Sequence, residues 1–402
     1  MKLYAQQGYG KGDKIHTGLD SDFLDGVILS PRDEKEEKMK SFIKEINDNY
    51  PNEELYFDPQ FYYSLYLDGT SKNLDGYNYF PGVLKLSDLR SFRSINQHAL
   101  KCIEYQESIG LKKIVSPSIL IPNFSDRQAQ IALNLAEESA NIAASKGLDI
   151  MISLVFSESS LNESRNVNDF LNELTTLDSE GFYVTIDRKT SDYSQDFESD
   201  STLLNLLTFI YSLSEINEYK VIMGYSDIIG LLYTAVGASG FSTGWHNSSR
   251  KFTVQQRILP SKGGRQPRER YTSIPLLNSV LVSELDTIAQ QFKNRGLDIK
   301  NILSSSNYEN VILAGPSPSD SWSRGLSHLQ HWSAIKNATK DIFKNPDDIS
   351  DRLDDLEDHI NKAVSNYKLL ETLPLQLERS SKGNHLETWS KALKDFRRLH
   401  HV

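Results

Sequence analysis

The residues best suited to chemistry in this chain are polar groups that directly follow short apolar runs. Asp58 and Gln60 end LYFDPQ, Asp187 and Arg188 end GFYVTIDR, Gly224, Tyr225 and Asp227 fall in YKVIMGYSDIIG, and Ser242, Thr243 and His246 fall in SGFSTGWHN. Arg32, Asp33 and Glu158 hold comparable places after further runs. A carboxylate such as Asp58 can serve as acid or base beside a substrate, and an imidazole such as His246 can exchange protons near neutral pH. Ser242 offers a hydroxyl, which is a poor nucleophile without a positioned base. Each also has a structural use. Asp58 can cap the next helix or pair with an arginine, and Asp187 with Arg188 can form an ion pair. Asp227 stands at a helix start, where capping of free N–H groups is the simpler account. Thr243 would line the pocket beside Ser242.

A second group is basic. Arg250, Lys251, Arg257, Lys262, Arg265, Arg268 and Arg270 are opposed only by Glu269, in a chain whose net charge is −10. Such a cluster can hold phosphates of a nucleotide or nucleic acid, dock an acidic protein surface, or simply be solvated. The overall negative charge argues against a general nucleic-acid coat. The opposite bias, Asp347, Asp348, Asp351, Asp354, Asp355, Glu357 and Asp358, reads as the solvated face of a helix.

Metal chemistry has little to draw on. Cys102 is the only cysteine, so an internal disulfide and any multi-cysteine site are excluded, and a buried, inert thiol is expected. His328 and His331 stand three apart without an obvious third ligand, and neither a metal nor a cofactor is called for.

These groups must be positioned by something, and the pattern between them supplies it. Eight β-branched or aromatic runs begin at Lys2, Gly26, Leu55, Lys113, Asp149, Gly181, Tyr219 and Ser239, separated by stretches with apolar residues at helical spacing. That alternation predicts an α/β fold, a (β/α)8 TIM-type barrel with its site at the carboxyl ends of the strands. A ninth run, NVILAG from Asn310, leaves open which strand closes the barrel. Residues 252–271 read as a long loop, and SIPLLNSVLVSELDTIAQQFKNRG as a return to helix. The expected division is a barrel domain over 1–305, carrying a basic loop at 250–270, and a mainly helical region over 306–402. The helical region would pack on the barrel or offer a protein partner a surface. No apolar run is long enough to span a bilayer and no leader is recognised, so a cytoplasmic location is expected.

Two windows carry a resemblance. The segment from Tyr219 to Phe252, with a glycine at a strand end, a helix, a second glycine and a further strand, resembles the tRNA-guanine transglycosylase family, as does LYFDPQFYY with Asp58 at its strand end. The resemblance implies a barrel that binds a guanine or 7-deazaguanine-type base and exchanges it in nucleic acid through a glycosyl-aspartate. It places Asp58 as an assisting carboxylate, with His246 an acid–base candidate. Zinc-less relatives of that family are associated with DNA deazaguanine modification and bacterial antiviral operons, and the resemblance carries that context as an expectation. The chain departs from the family at telling positions. Ser242 follows Phe241 where the family has its nucleophilic aspartate, Pro59 and Gln60 replace a glycine pair, and one cysteine cannot build the family's zinc site. Three functions follow: a base-binding or base-exchanging enzyme, a barrel that has lost catalysis and serves as a binding or assembly subunit, and an unrelated barrel enzyme.

Overall fold

A computed structural model describes residues 1–66, 71–190, 192–255 and 268–402. All eight apolar runs form strands of one parallel sheet: β1 (Lys2–Gln6), β2 (Gly26–Leu29), β3 (Glu54–Phe57), β4 (Ile114–Val115) with its continuation β5 (Leu120–Ile121), β6 (Ile150–Ser157), β7 (Gly181–Asp187), β8 (Lys220–Met223) and β9 (Gly240–Thr243). The order is β3-β2-β1-β9-β8-β7-β6-β4, so the first strand pairs with the last and the sheet curls into a barrel. Helices α1 (Lys14–Asp20), α2 (Glu36–Asn49), α3 (Phe92–Ser108), α4 (Arg127–Lys146), α5 (Ser164–Leu174), α6 (Asp200–Tyr211) and α7 (Gly230–Ala235) lie between the strands. Their apolar faces form the shell between helices and sheet; Gly147, in the left-handed conformation, ends α4.

The barrel is not closed by a ladder everywhere. Among the described residues β3 and β4 are neighbours without strand pairing. The backbone of Val115 would be left open at that seam, and the buried carboxamide of Gln106 on α3 fills the place of a neighbouring strand. Its Nε2 donates to the Val115 carbonyl at 2.7 Å and its Oε1 accepts from the Val115 N–H at 2.9 Å. A buried edge must be paired or it costs free energy, and here one side chain pairs it.

Inward-facing residues alternate along each strand and divide the interior into levels. At the amino ends of the strands, Glu54 accepts from Lys2 at 3.0 Å and Lys220 at 2.9 Å, and also from the hydroxyls of Tyr4 and Tyr56. Burial opposes the charge on Glu54, but these donors outweigh it and hold the carboxyl down at about 2. The middle level is Tyr4, Ile28, Tyr56, Val115, Met151, Tyr183 and Ile222. The upper level is polar and is described below.

Beyond the barrel the structure corrects one expectation and decides two points that the sequence left open. The segment after Arg268 is not helical from Ser273; it forms an antiparallel hairpin, β10 (Arg270–Ser273) and β11 (Asn278–Leu281), before α8 (Val282–Arg295) begins. Leu277 takes the left-handed conformation at the turn, which ends any helix there, and Thr272, Ser279 and Val280 suit a pleated strand. The ninth apolar run contributes no strand: Glu309–Ile312 is the short helix α9, outside the sheet. The basic segment is not one solvated loop either, because Arg250 and Lys251 are buried and Arg270 lies on β10.

Helices α10 (Arg324–Ile342), α11 (Ile349–Glu371) and α12 (His385–His400) complete the chain. They pack on the barrel rather than extending from it: α10 lies against β10 and α1, and α12 against α6, where Tyr211 meets Phe396 edge-on at 5.4 Å. The seven acids named above fall at the start and along α11, most of them exposed, with Asp348 as the helix cap. Among the described residues no helix is long and apolar enough to cross a membrane.

The seam makes a direct prediction. Gln106→Leu leaves the Val115 N–H and C=O buried and unpaired, and should lower stability by about 2–4 kcal/mol. Urea denaturation would show this as a lower midpoint with an unchanged slope; an unaltered midpoint would mean that β3 pairs with β4 once the carboxamide is gone.

Candidate functional site at the carboxyl ends of the strands

The pleat that turns Tyr4 inward also turns Gln6 inward, and the same alternation brings Ser30, Asp58, Thr185 and Ser242 to the upper end of the barrel axis. These five polar side chains are all essentially without solvent exposure. Ser242 donates to the Gln6 Oε1 at 2.6 Å, and Tyr183 reaches the same oxygen at 3.3 Å. The Tyr225 N–H donates to the Ser242 Oγ at 3.2 Å. On the far side, Asp58 accepts from the Gln60 N–H at 3.0 Å and the Tyr62 hydroxyl at 3.2 Å. The Gln60 carboxamide then closes the path: Nε2 donates to the Ser30 Oγ at 2.9 Å and the Tyr225 hydroxyl at 3.1 Å, while Oε1 accepts from the Arg32 N–H at 3.0 Å. Asp58 and Ser242 thus stand at the same end of the sheet, linked through Gln60 and Tyr225.

Two features mark this end as more than packing. Gln60 and Tyr225 both have positive φ, 52° and 50°, a conformation that costs a side-chain-bearing residue about 1 kcal/mol and that concentrates at functional sites. Gly224 precedes Tyr225 because a Cβ there would stand 2.6 Å from the Tyr183 hydroxyl and 2.8 Å from the Thr185 Oγ1. Over this layer lie aromatic rings, with Phe252 meeting Tyr62 at 5.4 Å and Tyr225 at 5.2 Å.

The other strand-end residues serve different neighbours. Arg188 does not pair with Asp187, as the sequence suggested; β7 turns them to opposite faces, and Arg188 meets Glu158 at 2.9 Å in a buried pair while stacking on Phe197 at 3.7 Å. Asp187 accepts from the Val254 N–H at 2.8 Å, and its carboxyl is pushed up by burial, against that bond, with Glu158 adding to the rise. Asp227 accepts from the next N–H, of Ile228, at 2.9 Å and from Gln195 at 3.2 Å. Thr243 faces outward from the barrel, where its hydroxyl bonds His331 at 2.9 Å; the other ring nitrogen of His331 bonds Thr272 at 2.8 Å. Burial, then Arg250 and His328, drive His331 far below its usual value, so its 3.7 Å approach to Asp227 is a polar contact and not an ion pair.

The basic residues divide. Lys251 is buried among Asp192, Thr190 and the Ser194 carbonyl, and burial, aided by Arg188, lowers it to about 8. Arg268 pairs with Glu378 after α11. Arg250 and Arg270 turn toward Tyr193, beside His246. Arg257, Lys262 and Arg265 lie outside the described residues. His246 stands by His328, ring centres 5.8 Å apart, and away from the Asp58 layer's hydrogen bonds; burial, then Lys14, Arg250 and Arg324, lower it. The spacing of His328 and His331 makes no metal site: among the described residues no group of histidine, cysteine and carboxylates could hold one.

Sequence reasoning passed over Gln6, Thr185, Gln195, Tyr193 and Arg324. Gln6 was legible, since it lies two residues beyond the inward Tyr4 in KLYAQQ. Arg324 was not, because His246 and Arg250, which it stands beside, come from a distant part of the chain.

No protein-family model matches this chain, and no curated protein matches it. Among solved structures the chain is similar to a 3-hexulose-6-phosphate synthase, at 9% identity over 64% of this chain and 98% of that one, with TM-score 0.35. It is also similar to a glycoside hydrolase family 3 β-N-acetylglucosaminidase from Paenibacillus sp. str. FPU-7, at 11% identity over 64% of this chain and 56% of that one, TM-score 0.40. A dihydrodipicolinate synthase from Bacillus clausii is 12% identical over 100% and 98%, TM-score 0.27. At these scores none of the three bears on what this chain binds.

Buried histidines give the site a pH dependence. Burial first, then neighbouring cations, lower His328 to about 3; burial lowers His385 to about 4, and His331 is lowered strongly as well. The unfolded chain takes up these protons near pH 6.5 and the folded chain does not, so the unfolded state binds more protons below that pH. Stability is therefore full above about pH 6.5 and falls by about 1.4 kcal/mol per pH unit per histidine as the pH drops toward 4. Urea midpoints measured from pH 8 to pH 5 should decline. Replacing His385 with Gln should flatten the decline, and a midpoint independent of pH would contradict the neutral assignments.

Proposed function

We propose that the upper end of the barrel binds a flat, hydrogen-bonding heterocycle of the guanine or 7-deazaguanine kind and does not exchange it through a carboxylate nucleophile. One observation carries the reading. The Gln6 Nε2 and the Thr185 Oγ1 are buried in the polar layer and have no hydrogen-bond partner among the described residues. Unmade hydrogen bonds of buried groups cost about 1–3 kcal/mol each, and a ligand bearing acceptors and donors would recover it. A guanine-type base has such an edge, and its faces suit aromatic neighbours such as Tyr62, Tyr225 and Phe252. Asp58, which accepts from the Gln60 N–H and the Tyr62 hydroxyl, is the carboxylate of this layer, and in this reading the base's amide and amine donors bond to it.

The chemistry of exchange lacks its nucleophile. Ser242 donates its proton to the Gln6 carboxamide oxygen, which is no base, so its hydroxyl is not activated. The same observation favours a second reading, a binding or assembly subunit that has kept the polar layer and lost the reaction.

Calorimetric titration with guanine and with 7-cyano-7-deazaguanine tests the proposal. Saturable binding should weaken by about ten- to a hundredfold in Asp58→Asn, because a bond to a charged acceptor becomes one to a neutral group. Labelled base should not enter tRNA or DNA on incubation with the protein. Absence of saturable binding, or equal affinity of the variant, would remove the base from the reading; label incorporation would remove the claim that exchange is lost.

A further inference from the structure

Beside the barrel mouth, past the end of β9, lies a recess whose walls come from four separate parts of the chain: Tyr193 after β7, Trp245 to Arg250 after β9, Arg268 to Arg270 leading into β10, and Arg324, Ser327 and His328 at the start of α10. Arg250 and Arg270 are both buried, at 5% and 7% exposure. Among the described residues neither has a carboxylate within 4.0 Å. Arg250 donates to the Gly244 carbonyl at 2.8 Å. Arg270 donates to the Ser279 carbonyl and to the hydroxyls of Ser279, Ser380 and Ser381 at 3.0–3.3 Å. Both guanidiniums lie over Tyr193, at 5.9 Å and 4.7 Å from its ring centre.

Burying a cation without an opposite charge is expensive, and buried charges in proteins are ordinarily paired or bind something. Arg324 adds a third cation on the wall, and Glu269 is the one acid there among the described residues. The Nδ1 of His328 is buried and has no hydrogen-bond partner among the described residues. The first turn of α10, capped by Ser323, carries Arg324, Ser327 and His328 to this wall. The field is strong enough that Arg250 and Arg324 help to hold both His246 and His328 neutral, after burial itself. Neutral imidazoles can still donate one N–H each.

We propose that the recess bounded by Arg250, Arg270, Arg324, His246, His328 and Tyr193 binds the terminal phosphate of a phosphate monoester. Charge sets the class. Among the described residues Arg250, Arg270 and Arg324 face the recess against the single carboxylate of Glu269. A terminal phosphate, close to doubly ionised near neutral pH, offsets that excess of positive charge, whereas a diester carries only one negative charge. The site is independent of the heterocycle proposed above, so either can fail alone.

Isothermal titration of the full chain with inorganic phosphate, against sodium chloride at matched ionic strength, provides the test. Phosphate should bind saturably, and both Arg324→Gln and His328→Phe should weaken it by about tenfold while leaving the circular dichroism spectrum unchanged. Uridine 5′-monophosphate, which lacks a purine, should compete with phosphate better than a short oligothymidylate without terminal phosphates. Binding no better than that of chloride, equal affinity in both variants, or stronger competition by the oligothymidylate would each overturn the proposal.

Discussion

Every buried strand edge in this protein has to find partners for its backbone, and at two places a glutamine carboxamide is the partner. Gln106 pairs the edge of β4 where the barrel seam lacks a ladder. Gln330 on α10 does the same for β10, accepting from the Thr272 N–H at 3.0 Å and donating to its carbonyl at 2.8 Å. A primary amide reproduces the donor–acceptor pair of a peptide group, so it can end a sheet without exposing it. The first of these contacts satisfies the edge of β4 where β3 and β4 do not bond. The second seats the hairpin on α10 and so fixes Arg270 opposite Arg324. Both candidate sites depend on these two joints.

With the seam closed, the barrel interior is a gradient along its axis. Glu54 gathers its lysine and tyrosine donors at one end, and the apolar ring around Tyr56 and Met151 separates that end from the other. The upper layer is different in kind. Ser242, Gln6, Gln60 and Asp58 are joined, yet Thr185 and one arm of Gln6 are not. Low polarity around such groups makes each bond worth more and each missing bond costlier. On the barrel axis at the carboxyl ends, the unmet hydrogen-bonding capacity among the described residues lies on Gln6 and Thr185.

The basic segment shows how a run of like charges can be taken apart by folding. Lys251 is drawn under the loop carrying Asp192, Arg268 reaches Glu378, and Arg250 and Arg270 converge on Tyr193 without a carboxylate. Neighbours in sequence therefore acquire separate roles. Burial, which lowers Lys251 to about 8, sets the guanidiniums apart from it, because arginine keeps its charge across the pH range in which Lys251 titrates.

The strand-and-helix alternation was written in the chain itself: a run such as GFYVTID can bury both its faces only inside a parallel sheet, and so all eight strands were legible from local pattern. The polar ends of those strands, Asp58 and Ser242 included, followed from the same reading. Which way each side chain points, and what it meets, was not local. Thr243 and Ser242 are adjacent but lie on opposite sides of β9, Arg188 prefers Glu158 to its neighbour Asp187, and SIPLLNSVL has enough apolar residues to read as helix although α10 and the Leu277 turn hold it as a hairpin. Short-range sterics and hydrophobic spacing decided the elements; partners distant in sequence, through hydrogen bonds that only packing can form, decided the sites.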